Sequence, residues 1–378
     1  MLKAYKFRIY PTEEQKQFFN QCIGNARFIY NHCLAIRNND YKQNKKYTSR
    51  TKLSNHITDL KRNPLFKWLN LSDSIALQQS LIDLETAFQK FFKKETGYPR
   101  FHSKHRKNSY RTINQGKTIR IEKGKLRLPK LKSLVKIKLS RQIPKNGKIK
   151  NATVSKTPSN KYFVSLLVDE NTSLGVSQAN EVGIVLGIKT YITLSNGTKC
   201  HFDFFDSNVL KKLKKMDKRI RKLHHLFSRT MKKSQNHEKR RIKLARGYEK
   251  VCNIKYDFMQ KLSRKLVNEN QVIAIENLKI KNMIRNHNLA KSIQDNSWGK
   301  FVTMLEYKAK WQYNCQIVKV STFYPSSQLC SVCGYKNPEV KDLKIRKWEC
   351  PECHAKHDRD VNASINILNE GKRLLSVA

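Results

Sequence analysis

The chain has 378 residues, enough for two or three cooperating domains. It carries 77 Lys and Arg residues against 29 Asp and Glu, and the formal charge of +48 favours a polyanionic partner, so we expect nucleic acid. No apolar segment approaches the roughly 20 residues of a membrane helix, and residues 1–6 lack the apolar core of a secretory signal. The composition therefore excludes a membrane-spanning protein and indicates a cytoplasmic one.

The first half of the chain predicts a strand, a helical region and a set of short strands. Residues 3–10 alternate apolar and polar side chains, as in a strand. Thr12 and Gln15 have the spacing of a capping box, and a second helix is predicted from about Asp73. Five short alternating runs between residues 110 and 170 predict a small β-barrel. The strand at 3–10 could join that barrel, which would make the helical region an insertion.

The second half predicts a hairpin, a basic helical stretch and a buried strand. The hairpin covers residues 182–194 and precedes a turn signal. Residues 207–267 are helical and rich in Lys and Arg, which is typical either of a solvated helix face or of a face that follows phosphates. Residues 271–276 form a short apolar strand that ends in an acid, Glu276.

Four cysteines near the C-terminus have the spacing of a metal site. Cys330 and Cys333 are separated by two residues, as are Cys350 and Cys353, and 16 residues lie between the pairs. This spacing allows both pairs to converge on one tetrahedral Zn²⁺. Four thiolates complete the coordination shell, so the zinc would be structural. The nearby His354 and His357 are expected to make polar or nucleic-acid contacts instead, and the pattern fits a reducing cytoplasm.

Separated acids indicate a second type of metal chemistry. Two-metal phosphodiester cleavage needs carboxylates that hold cations about 4 Å apart, to activate water and stabilise the leaving oxygen. Glu276 at a strand end and Asp360 within residues 357–363 are the candidates. Surface acids usually have no such role, but an acid at the end of an apolar strand is conspicuous in a chain this basic.

Seven short stretches, spread in order over almost the whole chain, resemble one family. They are KFRIYP (6–11), NARFIYNH (25–32), ALQQSL (76–81), GYPRF (97–101), IENL (275–278), YPSSQLC (324–330) and HDRDVNA (357–363). They are similar to TnpB, the RNA-guided nuclease family of insertion sequences that is related to type V CRISPR effectors.

The resemblance implies a multidomain α/β architecture, a wedge-type β-barrel with a helical recognition insert and a RuvC (RNase H-like) domain with an inserted four-cysteine zinc ribbon. The implied segments are 1–10, the first barrel strand; 11–105, the helical insert; 106–178, the rest of the barrel; 179–325, the RuvC-like domain; 326–356, the zinc ribbon, which binds target nucleic acid; and 357–378, the final RuvC segment.

The resemblance also implies a guide RNA derived from the element's end and a double-stranded DNA target. The DNA would carry a short adjacent motif, which Tyr47 and Gln78 would contact; ordinary surface polarity is the alternative for both.

One position departs from the family pattern. The family's first RuvC strand carries Gly-[Ile/Val]-Asp-[Leu/Val]-Gly, whose Asp binds metal, whereas this chain has Val185 between Ile184 and Leu186. Valine cannot be a ligand. Glu181 lies four residues earlier, roughly 13 Å along an extended strand, which is too far to replace the acid. Glu276 and Asp360 match the family's other two acids.

From this departure we expect a protein that is not an enzyme. It would resemble the nuclease-dead TnpB-like repressors (TldR type) of bacteria, bind DNA at the nucleoid under RNA guidance, and repress transcription by occupying promoter DNA. The alternative is an RNA-guided DNA endonuclease that retains two-metal RuvC chemistry with Mg²⁺. An inert transposon remnant or a transposition modulator is a third interpretation.

Overall fold

The computed structural model describes residues 1–104, 108–170, 174–342 and 344–377. The chain forms two compact units, Met1–Thr172 and Ser173–Ala378. The boundary predicted between residues 105 and 106 lies outside the described residues. No helix in the described part of the chain is long and apolar enough to cross a membrane.

The first unit is built on a seven-stranded antiparallel sheet with the order β2-β6-β7-β1-β5-β4-β3. Its strands are β1 (Leu2–Tyr10), β2 (Ser109–Ile113), β3 (Arg120–Glu122), β4 (Lys125–Arg127), β5 (Val135–Lys138), β6 (Lys148–Lys156) and β7 (Tyr162–Asp169). The N-terminal strand β1 lies at the centre, between β7 and β5, as the sequence predicted. The strands at the two ends, β2 and β3, make no ladder with each other among the described residues, so hydrogen-bonded closure into a barrel stays a prediction.

Three helices separate β1 from β2 in sequence, so the helical region is an insertion into the sheet, as predicted. They are α1 (Glu13–Asn44), α2 (Arg50–Arg62) and α3 (Ser74–Phe92), with a 3-10 helix at Pro64–Leu71. The capping box at Thr12 and Gln15 is present, and Asp73 caps α3. Phe19 and neighbouring apolar residues of α1 pack on the sheet. The later part of α1 packs against α2 and α3 in a second core.

The second unit contains a five-stranded sheet with the order β10-β9-β8-β11-β12. Its strands are β8 (Asn180–Leu186), β9 (Ile192–Leu194), β10 (Lys199–Cys200), β11 (Asn270–Glu276) and β12 (Gln316–Val320). The central strands β8, β11 and β12 are parallel, whereas β9 returns antiparallel to β8. The carboxyl ends of three neighbouring strands therefore meet at one edge of the sheet.

Helices cover both faces of this sheet. They are α4 (Val209–Ser228), α5 (Gln235–Glu269), α6 (Ile280–Met283), α7 (His287–Asn296), α8 (Trp298–Ala309) and α9 (Arg359–Ser376). Apolar residues of α5 and α8 form the core on one face, together with Ile184 and Ile275. The predicted basic helical stretch is two helices, α4 and α5, which pack on each other.

The C-terminal helix α9 covers the other face of the sheet. Ile367 of α9 packs with Ala274 and Val320. Two glycines allow this close approach: a Cβ atom on Gly183 would overlap the Ser364 carbonyl oxygen, and one on Gly371 would overlap Ala274.

A small cysteine module precedes α9. It contains a 3-10 helix (Pro338–Lys341) and the hairpin of β13 (Lys347–Glu349) and β14 (Lys356–Asp358). Strand β14 ends at Asp358 and α9 begins at Arg359, so the module and the helix are joined with no linker.

Candidate functional site

Glu276 and Asp360 face each other at the carboxyl edge of the five-stranded sheet. Glu276 is the last residue of β11, where Ile275 points into the α5–α8 core and Ala274 points towards α9. Because side chains alternate along a strand, Glu276 also points to the α9 side. Asp360 lies in the first turn of α9. The structure therefore brings the two predicted acids to the same place.

The carboxyl group of Glu276 titrates near neutral pH. Burial raises its pKa to about 7, a hydrogen bond from Ser326 lowers it, and the negative charge of Asp360 raises it. The Ser326 hydroxyl lies 3.4 Å from Glu276 Oε1. A half-buried acid with a second carboxylate beside it favours either a proton or a cation. Carboxylate oxygens are the ligands that Mg²⁺ prefers, so the pair fits a divalent cation.

Asp358 is close to Asp360 in the sequence, but both of its carboxylate oxygens accept hydrogen bonds from other groups. Its Oδ1 accepts hydrogen bonds from the backbone amides of Asp360 (3.1 Å) and Val361 (3.2 Å), which caps α9. Its Oδ2 accepts a bond of 2.7 Å from Lys199. Asp360 itself has the guanidinium of Arg346 at 3.6 Å. Asp358 thus fixes the start of α9 and orients Asp360.

Val185 occupies the position where the family pattern has its first acid. Ile184 pairs with Ile275, so Val185 lies level with Glu276 on the neighbouring parallel strand. It packs at the edge of the apolar cluster under α9. Glu181 does not take its place, because its carboxylate forms an ion pair of 2.7 Å with Lys372. In the described parts of the chain, the one cluster of three or more possible metal ligands is the cysteine set.

The four predicted cysteines converge, and the cluster could hold zinc. Their Sγ atoms all lie within 4.8 Å of one another. Cys330 and Cys353 are separated by 3.6 Å, as are Cys333 and Cys350. A tetrahedral zinc with bonds of about 2.3 Å places its sulfur atoms about 3.8 Å apart, so these distances fit the metal.

The two histidines near the cysteines differ in their surroundings. His357 Nε2 lies 3.1 Å from Cys330 Sγ, and its ring packs against Trp348. It therefore contacts one thiol from outside the four-sulfur set. His354 is exposed and has Glu349 at 3.7 Å. Both positions agree with the expectation of polar contacts, and neither is needed to complete a tetrahedral shell.

Tyr47 and Gln78 lie on the helical insert. The Tyr47 hydroxyl donates to Glu85 at 3.1 Å, its ring lies under the guanidinium of Arg37 (4.4 Å), and the residue is 48% exposed. Gln78 is exposed on α3. Gln78 and Glu85 are seven residues apart, so they lie on the same side of α3, roughly 10 Å apart. The structure thus places both predicted contacts on one side of the insert.

Two residues near the carboxyl end of β11 were not predicted from the sequence. Ser326 bonds Glu276, and Phe323 lies on the turn after β12. The family stretch at 324–330 includes Ser326, so it was the available signal for that residue. Phe323 immediately precedes the stretch, and only the parallel strand order reveals that its turn leaves the sheet at the same end as Glu276.

These features define a protein with an α/β fold of the Cas12f kind and a cluster of four cysteines. A solved structure, the cryo-EM structure of a Cas12f1–sgRNA–target DNA complex, matches with a TM-score of 0.59 and 14% identity, over 95% of this chain and 83% of that chain. At that identity the likeness concerns the fold alone. Three family models match: "Helix-turn-helix domain" at residues 1–46, "Probable transposase" at 165–287 and "Cas12f1-like, TNB domain" at 298–367.

Two relatives extend over almost the whole chain. A "Putative RNA-guided DNA endonuclease" of Streptomyces pristinaespiralis is 34% identical over 98% of this chain and 89% of its own length. The "Putative RNA-guided DNA endonuclease InsQ" of Escherichia coli (strain K12) is 30% identical over 99% of this chain and 94% of its own length. The chain belongs to the TnpB (IS605 OrfB) family.

The expectation that the protein is not an enzyme is wrong. Two relatives that match almost the whole chain are named putative RNA-guided DNA endonucleases, which points to a nuclease. That expectation was based on one position, Val185, where the family pattern has an acid. The site retains two carboxylates, Glu276 and Asp360, at one edge of the sheet, and such a pair can bind a cation without a third acid.

Proposed function

We propose that the protein is an RNA-guided DNA endonuclease that binds a guide RNA and cuts matched double-stranded DNA. The observation that carries the proposal is the acid pair Glu276 and Asp360 at the carboxyl edge of parallel strands. This pair lies in a chain that is similar along its whole length to proteins named as putative RNA-guided DNA endonucleases. The charge of +48 supplies the attraction for both nucleic acids.

Each residue at the edge of the sheet has a defined part in this chemistry. A divalent cation bound there would activate water and stabilise the leaving oxygen of the phosphodiester. Glu276 and Asp360 would hold the cation. Ser326 orients the Glu276 carboxylate through its hydroxyl, and the N-terminal cap made by Asp358 fixes Asp360. Because the Glu276 carboxyl titrates near pH 7, it is available to a cation at neutral pH at modest cost.

We assign a different role in recognition to each part of the protein. In this proposal the seven-stranded sheet is the wedge barrel, the helices α1–α3 are the recognition insert, and the five-stranded sheet is the RuvC domain. Tyr47 and Gln78 would contact the motif beside the target from the helical insert. The cysteine module, with zinc bound, would contact the target nucleic acid.

The test is a cleavage assay on the intact complex. The protein is purified with its bound RNA, the RNA is sequenced, and matched and mismatched duplexes are incubated with Mg²⁺. We expect cutting of the matched duplex only, and loss of cutting in Glu276→Gln with binding retained. Equal binding of matched and mismatched DNA would overturn RNA guidance. Tight matched binding without cutting at any Mg²⁺ or Mn²⁺ concentration would overturn the endonuclease.

We also propose that the bound complex represses transcription by occupying promoter DNA. The observation that favours this role is Val185, which leaves two carboxylates instead of three. Fewer negative ligands hold a cation more weakly, so cutting is slower and the complex stays longer on intact DNA. A bound protein and RNA–DNA hybrid then block RNA polymerase.

A promoter reporter separates occupancy from cutting. A guide matched to the promoter should lower reporter expression equally with the wild-type protein and with Glu276→Gln, because occupancy needs no cleavage. An unmatched guide is the control. If repression disappears in Glu276→Gln while DNA binding persists, the effect comes from cutting and the occupancy proposal fails.

A further inference from the structure

An exposed aromatic ring lies at the end of the sheet where β11 ends in Glu276. Phe323 lies on the turn after β12, and it is 84% exposed. The last residue of β12, Val320, pairs with Glu276, so this turn leaves the sheet at the same edge as the acid. The ammonium of Lys279, three residues after Glu276, lies over the Phe323 ring, 5.3 Å from its centroid.

Hydrogen bonds hold this turn against the strand that carries Glu276. The Tyr324 amide donates to the Ser321 carbonyl (3.1 Å), and the Phe323 amide donates to the Ser321 hydroxyl (3.3 Å). The Thr322 hydroxyl donates to the carbonyl of Asn277, the residue directly after Glu276. The backbone under the ring is therefore fixed relative to the acid.

The chain after the turn is held just as firmly. Ser326 bonds Glu276 through its side chain, and its carbonyl accepts a bond of 2.8 Å from the buried Asn366 of α9. Phe323 is thus exposed on a turn that is anchored on both sides. An exposed ring with a fixed position and a cation over one face suits a partner that is both flat and anionic.

We propose that Phe323 and Lys279 form a platform that stacks one unpaired DNA base next to the phosphate presented to Glu276 and Asp360. Lys279 covers one face of the ring, which leaves the other face for a base, and its ammonium is placed to attract the neighbouring phosphate. This inference rests on the proposed endonuclease function, and it assigns Phe323 as a positioning residue for that reaction.

The chemistry selects a base of unpaired DNA over other occupants. Aromatic side chains stack on any base, because every base has a π face, and such contacts do not need a particular sequence. Bases inside a duplex are already stacked and paired, so only a separated strand can offer one. In an RNA–DNA hybrid formed on a duplex, that strand is the displaced one.

The platform has a matched control at the opposite edge of the same sheet. Tyr313 precedes β12, is 81% exposed, and is anchored through its amide to the Gly175 carbonyl at 2.8 Å. Five residues of β12 separate the two ends, roughly 17 Å at the rise of a strand. Tyr313→Ala therefore removes an equally exposed ring near the other end of β12 without touching the acid edge.

The test uses 2-aminopurine, a fluorescent base that is quenched when it stacks. It is placed in turn along the displaced strand of a matched duplex, and fluorescence is measured on the full protein–RNA complex with Ca²⁺ in place of Mg²⁺. We expect strong fluorescence along the opened strand, with quenching at one or two adjacent positions. Phe323→Ala should abolish that local quenching, and Phe323→Trp should retain it. Lys279→Ala should weaken it, whereas Tyr313→Ala should not change it.

The outcomes separate the platform from the endonuclease proposal. Identical fluorescence profiles for wild type and Phe323→Ala, in complexes that do open the duplex, would overturn the platform alone. No rise in fluorescence anywhere with the wild-type complex would show that the duplex is not opened, which overturns the proposed function and the platform together. In the Mg²⁺ assay, Phe323→Ala should cut roughly tenfold more slowly and less precisely in position.

Discussion

Val185 and Glu276 lie side by side at the carboxyl ends of adjacent parallel strands, and both point towards α9. The pair is an apolar side chain next to an acid whose pKa is about 7. An acid at position 185 would therefore add its charge directly to the existing carboxylates.

Val185→Asp should strengthen divalent cation binding and accelerate cutting by tenfold or more, because a third carboxylate would share the cation with Glu276 and Asp360. Val185→Asn is the matched control, since it has the same shape without the charge. Cation affinity by calorimetry and cleavage rates on matched DNA measure the effect. Equal rates for the Asp and Asn variants would contradict it.

Glu276→Gln should stabilise the second unit at alkaline pH. The pKa of Glu276 is raised from about 4.5 to about 7, so its ionisation destabilises the fold as pH rises through that range. The glutamine removes this cost, about 1–3 kcal/mol above pH 7, and the difference should vanish near pH 4.5. Urea unfolding at pH 4.5, 6 and 8 measures it, with Glu269→Gln, a half-exposed acid, as the control. A gain that does not depend on pH would refute the argument.

Cation affinity at the acid pair should rise with pH and then level off. Below pH 7 a proton competes for Glu276, so affinity should increase up to about tenfold per pH unit, and above pH 7 it should reach a plateau. Titration of Mn²⁺ by electron paramagnetic resonance between pH 5.5 and 8.5 gives the curve. In Glu276→Gln the cation affinity should depend much less on pH. An unchanged dependence would mean that the competing proton binds another group.

Removal of zinc should unfold the cysteine module. Cys350 is fully buried, and thiolates brought within 4.8 Å of each other repel unless a cation lies between them. Cys350→Ser should lose about one zinc per chain and lower the melting temperature. Cys252→Ser changes an exposed free cysteine and should alter neither quantity. Metal analysis measures the zinc content and calorimetry measures the melting temperature. A wild-type protein that is stable without zinc would contradict a zinc site at the four cysteines.

Local signals predicted the elements that depend on local chemistry. The helix that starts after Thr12 has its capping box, and the strand ending at Glu276 has its apolar run. Helix α2 and strand β2 were not predicted. The apolar residues of α2, such as Leu53 and Ile57, are few and become a core only against α1 and α3.

The candidate site also combines features that local sequence patterns predict with features that they do not. The cysteine spacing alone was sufficient to predict that four thiols meet. The approach of Asp360 to Glu276 depends on the packing of α9 on the sheet, and the position of the Phe323 turn depends on the parallel pairing of β11 with β12. These segments are far apart in the sequence, and no local pattern encodes their contacts.

The direct junction between β14 and α9 fixes the length of the chain between the cysteine cluster and the acid pair. His357, which contacts Cys330, is three residues from Asp360. One residue added between Asp358 and Asp360 would rotate the acid by about 100° around the axis of α9 and turn it away from Glu276. We therefore expect an insertion or deletion in this segment to separate the two sites, whereas a change of length in the loops elsewhere in the cysteine module should not.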